Sequence, residues 1–392
     1  MSPVSNYDFI LAGAGASGLA LAYALPATAR ILLVDTAKKT KNDRTWCFWE
    51  NHTSPLDAIV YRSWQSVYFH SQDFSSCLSI APYTYKMIRG IDYYTFMQSQ
   101  LESRGNITFL YGNIDHLESD HQEARLTVGD TTYSAPWGFN SAFRPTVTLG
   151  YHSLLQHFKG YIVQTPHDAF DPSAAVMMDF RIEQHNETQF VYVLPFDTRT
   201  ALVEYTLFSS QLLPDHEYDH ALKNYLQTYL NISQFTILET EFGIIPMTDA
   251  PFPAMHSPRI VNTGIAGGRA KASTGYAFKR ILRQAELIAH SIIEFDTPIL
   301  AQPLFDRPAW LDSIYLRVLE QKRMGGAQFF ADLFAKNPAA LVLKFLDEDT
   351  TLLEDVRLMS SVDLAVFTKS ALEIIAYKAR RSLMRIAPMT TR

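Results

Sequence analysis

Three glycines recur at a short spacing near the start of the chain, at Gly13, Gly15 and Gly18. They follow the apolar run Phe9–Ala12, which predicts a strand buried on both faces of a parallel sheet. In such a turn the first glycine makes the bend and the second lets a pyrophosphate approach the backbone. The third lets the following helix pack on the strand. The spacing therefore predicts a dinucleotide-binding loop.

The segments that flank this loop complete the pattern. Ala16 and Ser17 open a predicted helix that ends near Leu25, before Pro26, so free N–H groups and the helix dipole face the phosphates. A second apolar run ends on Asp35, whose carboxylate can accept hydrogen bonds from both ribose hydroxyls. FAD and NAD share this signature. Because many flavoproteins begin with this unit, we expect FAD.

The order of predicted elements indicates an α/β fold. We expect a doubly wound, Rossmann-like FAD-binding domain, interrupted by a β-rich substrate domain and followed by a helical C-terminal region. The substrate domain should contain antiparallel strands from Ala174 onward, and an earlier helix should begin with Asp92 as its N-cap. The predicted boundaries are 1–60, 91–151 and 256–298 for the FAD-binding domain, 61–90 and 152–255 for the substrate domain, and 299–392 for the helical region.

Composition excludes several classes of protein. A net charge of −6 and a pI near 6.1 give the molecule no electrostatic reason to bind nucleic acid. Cys47 and Cys77 form no metal-binding or CxxC pattern, and so few cysteines fit a reducing cytoplasm. No apolar run approaches the roughly 18 residues of a membrane-spanning helix. We expect a cytoplasmic protein, free or attached to one membrane face. The 13% of aromatic residues fits either a core or a cavity for apolar or cationic species.

Residues 216–220 (HEYDH) match a zinc-binding pattern of two histidines one helical turn apart. Pro214 and Asp215 place this segment in the first, solvent-facing turn of a helix, so we expect no metal site. His152 and His157 fit no ligand or triad pattern, and packing or surface positions are expected for them.

A second glycine-rich segment, residues 264–278 (GIAGGRAKASTGYAF), follows a predicted strand and precedes a long predicted helix. In flavoproteins of the hydroxylase and reductase type, a late segment of this kind closes around the isoalloxazine and pyrophosphate. Together with residues 241–247 (EFGIIPM), the sequence of this segment resembles that of the lycopene β-cyclase family. Residues 43–50 (DRTWCFWE), 176–181 (VMMDFR) and 202–206 (LVEYT) resemble the same family. The last resembles its FxExT motif, with Leu202 in place of Phe and with Glu204 and Thr206 retained.

The resemblance implies an isomerase that uses reduced FAD without net redox change, with NAD(P)H as the expected reductant. Its substrates would be lycopene and γ-carotene, whose ψ-ends it closes to β-rings, giving β-carotene. Glu204 would be the catalytic residue. We expect the cofactor to be bound by Gly13, Gly15, Ala16, Ser17, Gly18, Asp35, Arg44, Gly264, Gly267, Gly268, Ser273, Thr274 and Gly275.

The chemistry of this cyclisation accounts for a buried carboxylate. Protonation of C2 creates a cation at C1, the C5=C6 double bond attacks it, and loss of a proton from C6 yields the β-ring. A fixed negative charge in a dry cavity stabilises such cations far more than it would in water. Glu204 could donate the proton from a carboxyl with a raised pKa, stabilise the cation, or remove the C6 proton.

Three alternatives stay open at this point: a redox flavoprotein such as a monooxygenase or prenyl reductase, a carotenoid-binding flavoprotein without catalysis, and a cyclase that makes ε-rings. The membrane surface is a further expected partner. Residues 377–392 carry Lys378, Arg380, Arg381, Arg385 and Arg392 among apolar residues and contain no acid. This mixture predicts peripheral binding at the cytoplasmic face.

Overall fold

The structure is a computed structural model, and it describes residues 6–142, 148–300, 303 and 305–386. Its strands, in chain order, are β1 (Phe9–Ala12), β2 (Ile31–Asp35), β3 (Thr45–Glu50), β4 (Arg62–Trp64), β5 (Ser66–His70), β6 (Ser75–Ser79), β7 (Thr84–Arg89), β8 (Ile107–Tyr111), β9 (His116–Ser119), β10 (Ala124–Val128), β11 (Thr131–Ala135), β12 (Trp137–Asn140), β13 (Ser153–Gln164), β14 (Ala175–Asp179), β15 (Thr188–Pro195), β16 (Thr200–Ser209), β17 (Thr236–Thr248), β18 (Met255–Ser257) and β19 (Ile260–Asn262). Its α-helices are α1 (Ala16–Ala24), α2 (Gly90–Glu102), α3 (Asp215–Thr228), α4 (Phe278–Phe295), α5 (Arg307–Glu320), α6 (Gly326–Lys336), α7 (Ala339–Leu346), α8 (Leu352–Met359) and α9 (Leu364–Ile386).

The first glycine segment belongs to a six-stranded sheet of order β18-β19-β12-β1-β2-β8. All neighbours are parallel except β18 and β19. Every residue of β1 is buried, as expected for a central parallel strand. Helices α1, α2 and α4 share a core with one face of the sheet, which includes Leu11, Leu33 and Phe278. The three-stranded sheet β11-β10-β9 packs on the other face, against Ile10 and Leu32.

A second, seven-stranded sheet has the order β17-β13-β16-β15-β14-β5-β6. Its neighbours are antiparallel except β14 and β5. Strand β13 lies between β17, at one edge of this sheet, and β16, although the sequence analysis predicted no strand over residues 153–164. Lys159 and Gly160 in the middle of β13 have low strand propensity, and they weaken the sequence signal of a strand that its neighbours stabilise on both sides.

A small sheet of order β3-β7-β4 carries the aromatic segment 45–50 and leads into α2. The prediction that Asp92 caps α2 was wrong, because the helix begins at Gly90 with Arg89 as its N-cap. Asp92 instead lies in the first turn, where its carboxylate accepts two hydrogen bonds from the Arg89 guanidinium, at 2.6 and 2.9 Å. An acidic side chain there still stabilises the helix N-terminus through its charge.

The helical C-terminal region packs against the seven-stranded sheet. Phe330 and Phe334 of α6 contact Phe180 and Phe69, with ring centroids 5.9 and 4.9 Å apart. These rings belong to one apolar core that joins α5 to α9 with the sheet. The predicted fold class, an α/β fold with a β-rich insertion and a helical C-terminal region, is confirmed. Within the described residues, no helix is both long enough and apolar enough to cross a membrane.

Candidate functional site: a flavin-type cradle beside a buried carboxylate

The first glycine segment forms a tight turn between β1 and α1. Gly13 has a φ of +105°, and a Cβ on Gly18 would lie 1.8 Å from the Gly13 carbonyl oxygen, so these two positions require glycine. Gly15 differs, because a Cβ there would meet no atom within 4 Å. It is the N-cap of α1, and no side chain caps the helix. The turn therefore leaves an open approach to the positive end of α1, beside Ala16 and Ser17.

Asp35 lies at the end of β2, next to this turn. Its Oδ2 accepts a hydrogen bond from the Ala14 N–H at 2.8 Å, and its Oδ1 accepts one from the Thr36 N–H at 2.7 Å. The Lys39 ammonium lies 3.7 Å from Oδ2. The carboxylate is thus fixed beside the loop, at the position where a ribose-binding acid is expected.

The second glycine segment lies directly on the first. Gly264 has a φ of +60°, and a Cβ there would come within 2.8 Å of the Ser17 Cβ. The Gln284 side chain of α4 accepts the Gly264 N–H at 2.8 Å. A Cβ on Gly267 would lie 2.5 Å from the Asn262 carbonyl oxygen, which explains the tight turn after β19. A cavity of about 700 Å³ opens beside these strand ends, lined by residues that include Asn140, Asn262 and Ala266.

Beside Gly275 of the same segment, one polar atom of the segment and one of β13 are left without partners. Thr274 Oγ1 and Gln156 Oε1 are buried and have no hydrogen-bond partner among the described residues. They flank Gly275, where a Cβ would lie 2.1 Å from Gln156 Oε1. A polar ligand bound beside Gly275 would supply both atoms with partners. The open turn, the fixed carboxylate and these unpaired atoms together fit FAD.

Glu204 lies in the seven-stranded sheet, on β16. It is paired in register with Tyr192 of β15 on one side and with Gly160 of β13 on the other. Gly160 is paired in turn with Glu241 of β17. Residues paired across strands project from the same face of a sheet, so both glutamates lie on one face with a glycine between them. The Thr206 hydroxyl donates to Glu204 Oε1 at 3.0 Å.

The electrostatic surroundings favour a protonated carboxyl at this point. Burial, and after it the neighbouring Glu241, raise the pKa of Glu204 well above its usual range. Burial also raises the pKa of Glu241, against the effect of hydrogen bonds from Glu204 and Thr45. The Thr45 hydroxyl donates to Glu241 Oε2 at 2.9 Å. Arg44, adjacent to Thr45, forms an ion pair with Asp43 at 3.2 Å.

Aromatic side chains connect this carboxylate to the second glycine segment. The hydroxyls of Tyr276 and Tyr192 lie 3.4 Å apart, and the Trp49 ring meets Tyr276 edge to face at 5.1 Å. Burial raises the pKa of Cys47 and of both tyrosines, so these groups stay neutral over the physiological range. Neutral rings around a carboxylate form an environment suited to a cationic intermediate.

An apolar cavity of about 180 Å³ adjoins the same glycine segment within the helical region. Ser273 and Thr274 line one side, and residues of α5 to α9, such as Phe329, Phe367 and Ala371, line the rest. Leu346 also lines a smaller cavity, of about 30 Å³, beside Cys47, Trp49 and Tyr276. The two cavities therefore lie on either side of Leu346, and the smaller one is next to the aromatic side chains near Glu204.

The histidines singled out in the sequence have structural partners or are exposed. His157 is buried and bonded to Tyr218 and Ser209, and burial lowers its pKa to about 4. His152 is buried against Asp249 at 2.8 Å. His216 and His220 are exposed on α3. Among the described residues, no three His, Cys, Asp or Glu side chains are grouped as metal ligands would be.

Glu241, Gly160 and Tyr192 are the site residues that sequence reasoning missed. Glu241 opens the EFGIIPM segment, but nothing local in the sequence assigns it a role. Only the register of β13 with its two neighbouring strands brings Glu241 beside Glu204, and no sequence motif encodes that register.

Comparison with known proteins decides the family. The family model described as lycopene cyclase protein matches residues 8–373. The chain belongs to the lycopene cyclase family. The resemblance seen in the motifs is thereby confirmed.

Individual relatives are distant. The chain is 25% identical to a chloroplastic neoxanthin synthase of Solanum lycopersicum, over 75% of this chain and 62% of that protein. The match thus spans less than two thirds of that relative. Identity to a lycopene beta-cyclase of Paracoccus sp. (strain N81106 / MBIC 01143) is 26%, over 72% of this chain and 73% of that one. A geranylgeranyl bacteriochlorophyll reductase-like protein of Thermoplasma acidophilum shares the fold, with a TM-score of 0.68, 10% identity and coverage of 94% and 99%.

Proposed function

We propose that this member of the lycopene cyclase family is a lycopene β-cyclase. It closes the ψ-ends of lycopene to β-rings, through γ-carotene to β-carotene, without net redox change. The observation that carries the proposal is the largely buried carboxyl of Glu204, which lies beside Tyr192 in the sheet and near Tyr276 of the second glycine segment. A proton donor among neutral aromatic faces matches a reaction that proceeds through carbocations.

We also propose that FAD is the resident cofactor. The turn at Gly13, Gly15 and Gly18 would receive its pyrophosphate, Asp35 its ribose, and the segment from Gly264 to Gly275 its ring system. In its reduced form, with NAD(P)H as reductant, FAD would supply negative charge that stabilises a cationic intermediate. We also propose that Arg44 and the other predicted cofactor residues bind FAD. Substitution of each residue, followed by measurement of FAD affinity, tests this.

The chain's own residues account for the proton movements. Glu204, kept protonated by burial, donates a proton to C2 of the terminal double bond. Thr206 orients the carboxyl through its hydrogen bond of 3.0 Å to Oε1. After ring closure a proton leaves C6, and the Glu204 carboxylate is the acceptor at hand. Apolar packing around Trp49 and Tyr276 excludes water, which would otherwise trap the cation as an alcohol.

The polyene chain needs an apolar path, and the cavity lined by Phe329, Phe367 and Ala371 supplies one beside Thr274. Exposed leucines of α8 and α9, the helices that help to line this cavity, form an apolar surface at Leu352, Leu353, Leu364 and Leu372. We propose that this surface rests on the cytoplasmic face of a membrane, where the substrate dissolves. The basic tail predicted to assist lies partly outside the described residues, which end at residue 386.

We further propose the domain division given by the sequence, with the six-stranded sheet in the cofactor domain and the seven-stranded sheet in the substrate domain. Glu204 and Glu241 then belong to the substrate domain, whereas Tyr276 belongs to the cofactor domain. The reaction site would lie where the two domains meet, as is common for ligand sites.

Expression in a host that accumulates lycopene tests the function. The expected product is β-carotene, which has the same mass as lycopene and a different retention on chromatography. Added hydrogens or oxygen would favour the redox alternative, unchanged lycopene a binding protein, and ε-rings the other cyclase. In vitro, D₂O should place one deuterium at C2 of each ring, and NAD(P)H should not be consumed in proportion to the rings formed. One NAD(P)H consumed per ring would contradict the proposal.

A further inference from the structure

Gly160 separates two glutamates on neighbouring strands. It is paired in register with Glu204 of β16 and with Glu241 of β17. A Cβ on Gly160 would lie 3.0 Å from Glu241 Cγ and 3.3 Å from Glu241 Oε1. The Glu241 side chain therefore occupies the space that a side chain at position 160 would need. The glycine therefore lets the two carboxyl groups approach each other across β13.

The hydrogen bonds of this pair do not balance if both groups are ionised. An ionised carboxylate can only accept hydrogen bonds. Thr206 donates to Glu204 Oε1 and Thr45 donates to Glu241 Oε2. Glu241 Oε1 remains buried with no donor among the described residues. Because the Glu204 and Glu241 side chains approach each other over Gly160, a proton between them would supply the donor that Glu241 Oε1 lacks and remove the repulsion of two like charges.

We propose that Glu204 and Glu241 share one proton across Gly160, so that the pair carries a single negative charge. Glu241 is then a positioning residue that sets the proton affinity of Glu204. This inference rests on the proposed function for its role in cyclisation. One proton leaves the pair for C2 and one returns from C6, so the pair ends each cycle as it began. In between, the cation faces two carboxylates instead of one.

Other titratable groups surround the pair. Cys47, Tyr192 and Tyr276 face Glu204, and burial raises the pKa of each, so none of them ionises before the pair does. On the other side Arg44 and Glu239 act on Glu241 through their charges. Glu239 is exposed and serves as a control, because removing its charge alters the field at Glu241 without altering the shared proton.

Glu241→Gln tests the proposal. The amide removes the shared proton and donates to Glu204, which lowers the proton affinity of that carboxylate. The alkaline limb of the pH profile of kcat/KM should move down by about one pH unit or more, a roughly tenfold loss in proton affinity. The infrared carbonyl band of the protonated carboxyl, recorded on the protein without substrate, should vanish at a correspondingly lower pH. Glu239→Gln, which changes only the field at Glu241, should move both by much less than Glu241→Gln does.

Gly160→Ala provides a second test that keeps both carboxyl groups. Its methyl group pushes Glu241 aside, so the limb and the infrared band should shift in the same direction, with folding checked by circular dichroism. If the alkaline limb of the kcat/KM profile and the infrared carbonyl band are unchanged in both variants, the shared-proton proposal is wrong, even if lycopene is still cyclised. A wild-type protein that shows the band but makes no β-carotene would overturn the function and leave the proton pair standing.

Discussion

Replacing Asp35 with Ala should weaken the binding of FAD by a calculable amount. The Asp35 carboxylate holds the first glycine turn through the Ala14 N–H at 2.8 Å and, in our account, accepts the ribose hydroxyls. A hydrogen bond to a charged group contributes about 1.5–3 kcal/mol. Since every 1.4 kcal/mol is tenfold, losing one ribose contact should raise the Kd roughly 10- to 150-fold. A second lost contact, or a loosened turn, would add to this.

The assay is titration of the purified apoprotein with FAD, followed by the change in flavin fluorescence. Asp8→Ala is the matched control, because Asp8 directly precedes β1 and binds the exposed Arg30 at the other end of that strand from the turn. It should bind FAD normally. Cyclase activity of Asp35→Ala should recover in part with excess FAD. A folded Asp35→Ala protein whose Kd lies within about threefold of wild type, less than one hydrogen bond is worth, would refute the assignment of Asp35.

Three further predictions concern the cavity, the membrane surface and the buried acid. Ala371→Trp should fill the apolar cavity and lower kcat/KM for lycopene at least tenfold with unchanged FAD binding, and unimpaired turnover would show that the polyene lies elsewhere. Leu352→Asp with Leu353→Asp should abolish sedimentation with anionic vesicles at low salt, whereas undiminished binding would exclude this surface. Burial raises the pKa of folded Glu204, so its stabilising contribution is complete below the unfolded pKa and is lost as pH rises. Glu204→Gln should therefore match wild type in acid and gain in relative Tm towards alkaline pH, and a constant difference would contradict the raised pKa.

The parts of this site that the sequence predicted are those encoded in contiguous residues. The spacing of Gly13, Gly15 and Gly18 with Asp35 predicted the turn of the parallel sheet, because backbone geometry at each glycine is a local property. Glu204 came from a short motif of the family. The fold class followed from the order of strands and helices.

The parts that the sequence did not predict depend on pairing between distant segments. Glu241 meets Glu204 only because β13 lies between their strands in one particular register, and a shift of one residue would turn these side chains to the other face. Strand β13 was itself missed, since Lys159 and Gly160 interrupt its pattern. The prediction that Asp92 is the N-cap of α2 was wrong for a local reason. Asp92 pairs with Arg89 from inside the first turn, where acidic residues are also common.

The most direct test of the central claim is the rate of lycopene cyclisation by Glu204→Gln, measured with purified, FAD-loaded protein under reducing conditions. The substitution keeps the size and hydrogen bonding of the side chain and removes its acid. Glu239→Gln, a change of an exposed acid two residues from Glu241 on β17, is the control and should lose far less activity. We expect Glu204→Gln to fold, to bind FAD normally and to lose activity by about 10²–10⁴-fold. Cyclisation at a rate near that of wild type would contradict the account at its central residue.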